Sequence, residues 1–139
     1  MDKFKEIRPV VLGIVVRNGK ALVSVGYDKV KGIHFYRPVG GGIEFMEKSV
    51  HALKREFMEE IGADVTIGDF LGIEENIFTF DGKKGHEVIF YYNVTLDEKD
   101  YKEIYYEEGD TKCPICWVDI DELKSDKAIV YPPSVIKYL

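Results

Sequence analysis

The chain has 139 residues, 45% apolar and 32% charged, an ordinary globular mixture long enough for one domain with a real core and too short for two. Its net charge of −6 disfavours stable binding to nucleic acid, although bound cations would still let it handle anionic small molecules. No apolar run reaches the roughly 20 residues that span a bilayer, and Met1–Glu6 lacks the apolar stretch of a secretion signal, so a cytoplasmic location away from membranes is expected.

Pro9 to Val16 is a β-branched run that stops at Arg17-Asn18-Gly19-Lys20. Asn-Gly between apolar runs is a strong hairpin signal, and Ala21 to Val25 supplies the partner strand. A polar loop over Tyr27 to Gly32 leads to a short extended segment, His34 to Pro38, and then to a turn at Gly40-Gly41-Gly42 where backbone can pass close to a ligand. Lys48 to Ile61 reads as a helix. Val50, Leu53, Phe57 and Ile61 form one buried stripe, and Gly62 is a natural stop. Val65 to Phe80 and Glu87 to Leu96 read as strands joined through a second turn at Asp81 to Gly85. Asp97 to Asp110 is acidic and reads as loop. Ile115 to Ile120 is a strand, Asp121 to Lys124 opens a short helix, and Ser134 to Leu139 closes the chain as a helical piece after Pro132-Pro133. The pattern predicts a single α/β domain over residues 1–139, with a mixed, largely antiparallel sheet and one long helix.

That helix carries the chemistry. At about 100° per residue, Glu56, Glu59 and Glu60 fall within about 100° of arc, beside the apolar stripe rather than opposite it. Ala52 shares the arc and leaves room for a ligand. Unpaired charge at the edge of a core is costly, so a divalent cation is the natural partner. Magnesium suits an all-oxygen donor set that keeps several waters and bridges to phosphates. Arg55 borders the arc and is placed to pair with Glu59 or to reach back to Glu47, bracing the glycine loop with two hydrogen bonds. Three glutamates at this spacing alone fit an ordinary solvated face better. The glycine loop, Glu47, Arg55 and Gly62 together shift the balance toward a metal cradle.

From Gly41 through Glu47 to Arg55-Glu56-Phe57-Met58-Glu59-Glu60-Ile61-Gly62-Ala63, the chain resembles a complete Nudix box. Two departures are small: Ala63 is a small final apolar residue, and Met46 stands where many relatives have glycine. The strands before the box, the Asp81–Gly85 turn and the Trp117-Val118 strand extend the resemblance over nearly the whole chain. It implies an α/β/α sandwich and magnesium- or manganese-dependent hydrolysis of a nucleoside diphosphate linked to another group. By position, Glu56, Glu59 and Glu60 would be metal ligands with a backbone carbonyl near Gly41. Glu56 would orient or deprotonate the attacking water, with Glu59 beside it, and Glu47 and Arg55 would brace the loop. Glu107 and Glu108 are alternative bases. A homodimer, common among such proteins, stays open.

Substrate choice is less legible. His34-Phe35-Tyr36-Arg37 precedes the glycine loop, which makes Arg37 a candidate phosphate contact and Tyr36 or Phe35 a candidate base-stacking residue. Tyr105 and Tyr106 sit in the acidic loop, where they could edge a pocket. No proline occurs between Gly62 and Cys113, which argues against the ADP-ribose subgroup. A (deoxy)nucleoside triphosphate is favoured, with ADP-ribose or another nucleotide sugar as the alternative and a non-catalytic nucleotide sensor as a lesser one. Cys113 and Cys116 have thioredoxin-like spacing, but Trp117-Val118-Asp119 reads as strand where that chemistry needs a helix N-terminus. No second CxxC or histidine pair completes a zinc site, so a structural role is expected.

Overall fold

A computed structural model describes residues 5–97, 99 and 115–139. Its strands are β1 (Ile7–Ile14), β2 (Val16–Arg17), β3 (Lys20–Asp28), β4 (Ile33–Gly42), β5 (Thr66–Phe80), β6 (Lys83–Thr95) and β7 (Ile115–Asp119). The helices are α1 (Ser49–Ile61), a four-residue α2 (Ile120–Leu123) and a terminal 3-10 helix (Pro133–Tyr138). The terminal piece expected at Ser134–Leu139 is thus a 3-10 helix led by Pro133, whose fixed φ suits a first turn.

The strands order as β2-β3-β4-β1-β6-β5, with β7 beside β3. Among the described strands only β1 and β6 run parallel; the other neighbours are antiparallel. Strand β4 joins two halves of the sheet. Its first part pairs with β3, from Ile33↔Asp28 to Pro38↔Val23, and its last part pairs with β1, from Val39↔Gly13 to Gly42↔Val10. Gly40, Gly41 and Gly42 are therefore a strand end rather than the free turn expected from composition. The glycines tolerate this because β1 saturates their backbone, and Gly40 takes a φ of +155° with no room for a side chain against the β1 backbone.

Both tight turns form as their sequences dictate. Asn18 and Gly19 have φ of 53° and 75°, and Asp81 and Gly82 have 51° and 75°, the paired left-handed residues of type I′ hairpins. A contact between distant turns was not legible. Asp28, fully buried, accepts N–H bonds from Val30 and Lys31 (both 3.0 Å) and from Asp81 (3.2 Å), while Lys29 donates its N–H to Asp81 Oδ1 (2.6 Å). This exchange latches the β5–β6 tip to the β3–β4 turn, over edge and tilted contacts of Phe35 with Phe80 and Tyr131.

The sheet buries both faces. On one, Val11, Val15, Leu22 and Val39 meet Ala52, Leu53 and Phe57 of α1. Phe57 lies over Gly13, where any Cβ would strike its ring at 2.8 Å. On the other, Val10, Leu12, Ala21, Val23, Ile89 and Tyr91 meet Leu123, Val130 and Val135. Helices on both faces of a mixed sheet make the expected α/β layering. No helix among the described residues is long and apolar enough to cross a membrane.

Candidate active site

Helix α1 starts after Lys48 and stops at Gly62, whose left-handed backbone (φ 67°) returns its N–H to Met58 O at 3.0 Å. Burial of Ala52, Leu53 and Phe57 fixes the helix rotation, and this brings Glu56 to the end of β4, with Glu59 and Glu60 about one turn further along the helix.

Arg55 is the hub. Its Nε–H reaches Glu47 Oε2 at 2.8 Å and its Nη2–H reaches Glu47 Oε1 at 2.9 Å, a two-pronged pair. Nη2 also donates to the Gly42 carbonyl at 3.0 Å. Nη1 donates to Glu56 Oε1 at 2.9 Å and lies 3.4 Å from both Glu59 oxygens. One planar cation thus ties the loop carboxylate, the end of β4 and the box helix together. These bonds drive Glu47 down to about 2, its hydrogen bonds from Arg55 being the main cause and the Glu44 N–H adding to them. They push Arg55 itself further up, keeping it charged.

Gly41 explains its own identity. A Cβ there would lie 2.6 Å from the Glu56 carboxyl carbon, so glycine lets that carboxylate rest against the end of β4. Glu60 differs from its neighbours: it has no ion-pair partner among the described residues. Desolvation first, then repulsion from Glu56 and Glu59, push its carboxyl up to about 7. The residue as a whole remains open to water, so an ion can reach it.

Among the described residues, no three His, Cys, Asp or Glu side chains close on one point tightly enough to cage a metal ion. Arg55 supplies the positive charge between Glu56 and Glu59 instead. The donor chemistry nonetheless fits a hard divalent cation. All the donors are oxygens, the carboxylates share one helix, and Glu60 has no cation beside it among the described residues, so its charged form is disfavoured until one arrives.

Two substrate candidates lie elsewhere. Tyr36 packs into the core layer on the face away from α1, where burial raises its phenol. Arg37 spends its guanidinium on Glu87, a nearly buried carboxylate of β6, with Nη2 at 3.0 and 3.1 Å from its two oxygens. Glu107, Glu108, Tyr105, Tyr106 and Cys113 lie outside the described residues. Cys116 is half-buried in β7, and burial raises its thiol, as expected of a structural cysteine. An apolar void of about 10 Å³ near Leu22, Val23, Leu123 and Val135 touches no α1 residue and is far too small for a nucleotide.

The loop between β4 and α1 shows a cost that composition only hinted at. Glu47 donates its N–H to Glu44 O at 3.0 Å, closing a turn with Met46 in third place. Met46 has φ of 72°, where turns of this kind take glycine, and the residue is 89% exposed. A left-handed non-glycine residue costs about 1–2 kcal/mol, and glycine returns part of that gain as unfolded-state entropy. Met46→Gly should therefore stabilise the protein by about 0.5 kcal/mol, read as a higher denaturant midpoint at unchanged slope, while Met46→Ala should not.

The NUDIX domain family model matches residues 7–138, nearly the full length. The chain belongs to the Nudix family. Solved structures agree on the fold. A MutT protein from Bacillus halodurans superposes with a TM-score of 0.64 at 20% identity, covering 94% of this chain and 80% of that one. A NUDIX hydrolase from Nitrosomonas europaea gives 0.63 at 20% identity, covering 95% and 85%. A MutT NUDIX hydrolase from Burkholderia pseudomallei gives 0.61 at 17% identity, covering 95% and 96%. No curated protein matches the sequence significantly. Membership makes the chain a Nudix pyrophosphohydrolase, in a family that acts on small nucleotide substrates and generally uses divalent metal ions.

Proposed function

We propose that this Nudix enzyme hydrolyses a pyrophosphate bond of a (deoxy)nucleoside triphosphate or related nucleotide, with magnesium or manganese held by Glu56, Glu59 and Glu60. The observation that carries this is the Arg55 hub, which fixes Glu56 against Gly41 while Glu60 stays a carboxyl without a cation beside it on the same helix. When bound, the ion neutralises the diphosphate and lowers the pKa of water. The protein's own part is positional. Glu56, held at Oε1 by Arg55, keeps its second oxygen to orient the attacking water or take its proton. Glu47 anchors Arg55, and the end of β4 brings bare backbone up to the same place. The test is a screen of nucleoside triphosphates, nucleotide sugars and dinucleotides with magnesium, scored by product mass. Release of a nucleoside monophosphate and pyrophosphate from a triphosphate supports the assignment. Turnover of nucleotide sugars alone would move the enzyme to the alternative class, and no metal-dependent turnover of any of them would remove it.

A further inference from the structure

Gly42 separates two guanidinium groups. On one side its carbonyl accepts from Arg55. On the other, a Cβ at Gly42 would lie 2.8 Å from Arg8 Nη2 and 3.2 Å from Arg8 Nε. The Arg8 guanidinium therefore lies against the bare backbone of Gly42, at the strand end that leads into the catalytic loop.

Among the described residues, the Arg8 side chain has no partner there. Its register neighbour on β6 is Glu87, whose oxygens are taken by Arg37 at 3.0 and 3.1 Å, with Asn76 donating to one of them at 3.3 Å. Glu74, the next carboxylate on that face of β5, accepts from Tyr91 at 2.7 Å and from Ser134. The Arg8 side chain forms no hydrogen bond or ion pair among the described residues, in a chain of net charge −6. An exposed arginine without a partner costs nothing in water, so this alone would carry no weight. Its position does. It is a free, planar, five-donor cation beside Gly42 at the end of β4, on the opposite face of that strand from the one where Gly41 meets Glu56.

We propose that Arg8 binds a phosphate of the substrate's polyphosphate chain and is a specificity-determining residue of this enzyme. The inference rests on the pyrophosphohydrolase reading above. A diphosphate drawn to the α1 carboxylates by their cations needs a second anchor for its remaining charge, and the carboxylates would repel that charge. Arg37 cannot serve without leaving Glu87 buried and unpaired. Arg8 serves at no such cost, and its fork matches phosphate geometry in two-pronged fashion.

Binding and turnover separate the inference from the reading. Inorganic tripolyphosphate, titrated calorimetrically with magnesium present, should bind Arg8→Ala about ten-fold or more weakly than wild type, with Arg8→Lys intermediate. In turnover, Arg8→Ala should raise KM by a similar factor with kcat nearly unchanged, since this contact exists in the ground state too. The exposed side chain leaves thermal melting unaltered. Equal tripolyphosphate affinity in wild type and Arg8→Ala would overturn the inference, as would a wild type that turns over nucleotides but does not bind tripolyphosphate. A wild type that turns over nothing would instead remove the underlying reading.

Discussion

Glu59→Gln and Glu60→Gln should each lower kcat by roughly 10²- to 10³-fold at saturating magnesium, as expected when one charge-stabilising group is removed from a transition state. The double variant should fall further, and all three should keep wild-type circular dichroism. Glutamine preserves shape and length but removes the charge that holds a cation, and neither residue contributes to the buried stripe of Ala52, Leu53 and Phe57. The loss should appear in kcat and in the magnesium concentration needed for half-maximal rate, with little effect on nucleotide KM at saturating metal. Full activity in the double variant would sink the metal assignment.

Glu60 adds a signature that needs no turnover. Its folded pKa, raised to about 7 from 4.5, means the folded state holds a proton that the unfolded state has lost between those values. Stability without metal should therefore fall as pH rises through that window. Glu60→Gln removes the titration, so the metal-free variant should melt higher than wild type at pH about 8 and equally at pH about 4. Magnesium should narrow the gap at the higher pH by stabilising wild type more than the variant. A gap that is the same at both pH values would show that Glu60 is not strained as an anion.

Parts of this site were legible in the sequence because they are local. The helix period places Glu56, Glu59 and Glu60 beside the stripe, and Arg55 and Glu47 are only eight residues apart, so their pairing follows from short-range geometry. Asn18-Gly19 and Asp81-Gly82 announce their turns for the same reason. What stayed hidden depends on strand partners. Gly40-Gly41-Gly42 looks like a turn until β1 pairs with it. Arg37 looks like a substrate contact until β6 brings Glu87 to it across 50 residues, and Arg8 looks like an ordinary first-strand arginine until Gly42 arrives beside it. The Asp28–Asp81 latch is of the same kind: two turns, each readable alone, whose meeting is set by the whole sheet.

Arg55→Lys should behave almost as badly as Arg55→Ala, and this is the sharpest test of the hub. Four bonds of 2.8–3.0 Å leave Arg55 in three directions, to Glu47, Gly42 and Glu56. A lysine ammonium is a single point and cannot span them. Both variants should lose about 10- to 100-fold in kcat and in magnesium affinity, the usual cost of losing a group that orients metal ligands. Glu47→Gln should reproduce most of this, and Arg55→Ala with Glu47→Gln should cost no more than the worse single change, because both remove one clamp. The pH dependence carries the sign. Glu47 is lowered to about 2 from 4.5, so its clamp stabilises the fold fully above about 4.5 and is lost as pH falls toward 2. The melting gap between wild type and Glu47→Gln should hold constant from neutral pH to about 5, then close through that acid window. A gap already closing near neutral pH would mean the pair is not formed in solution, and the loop would need another anchor.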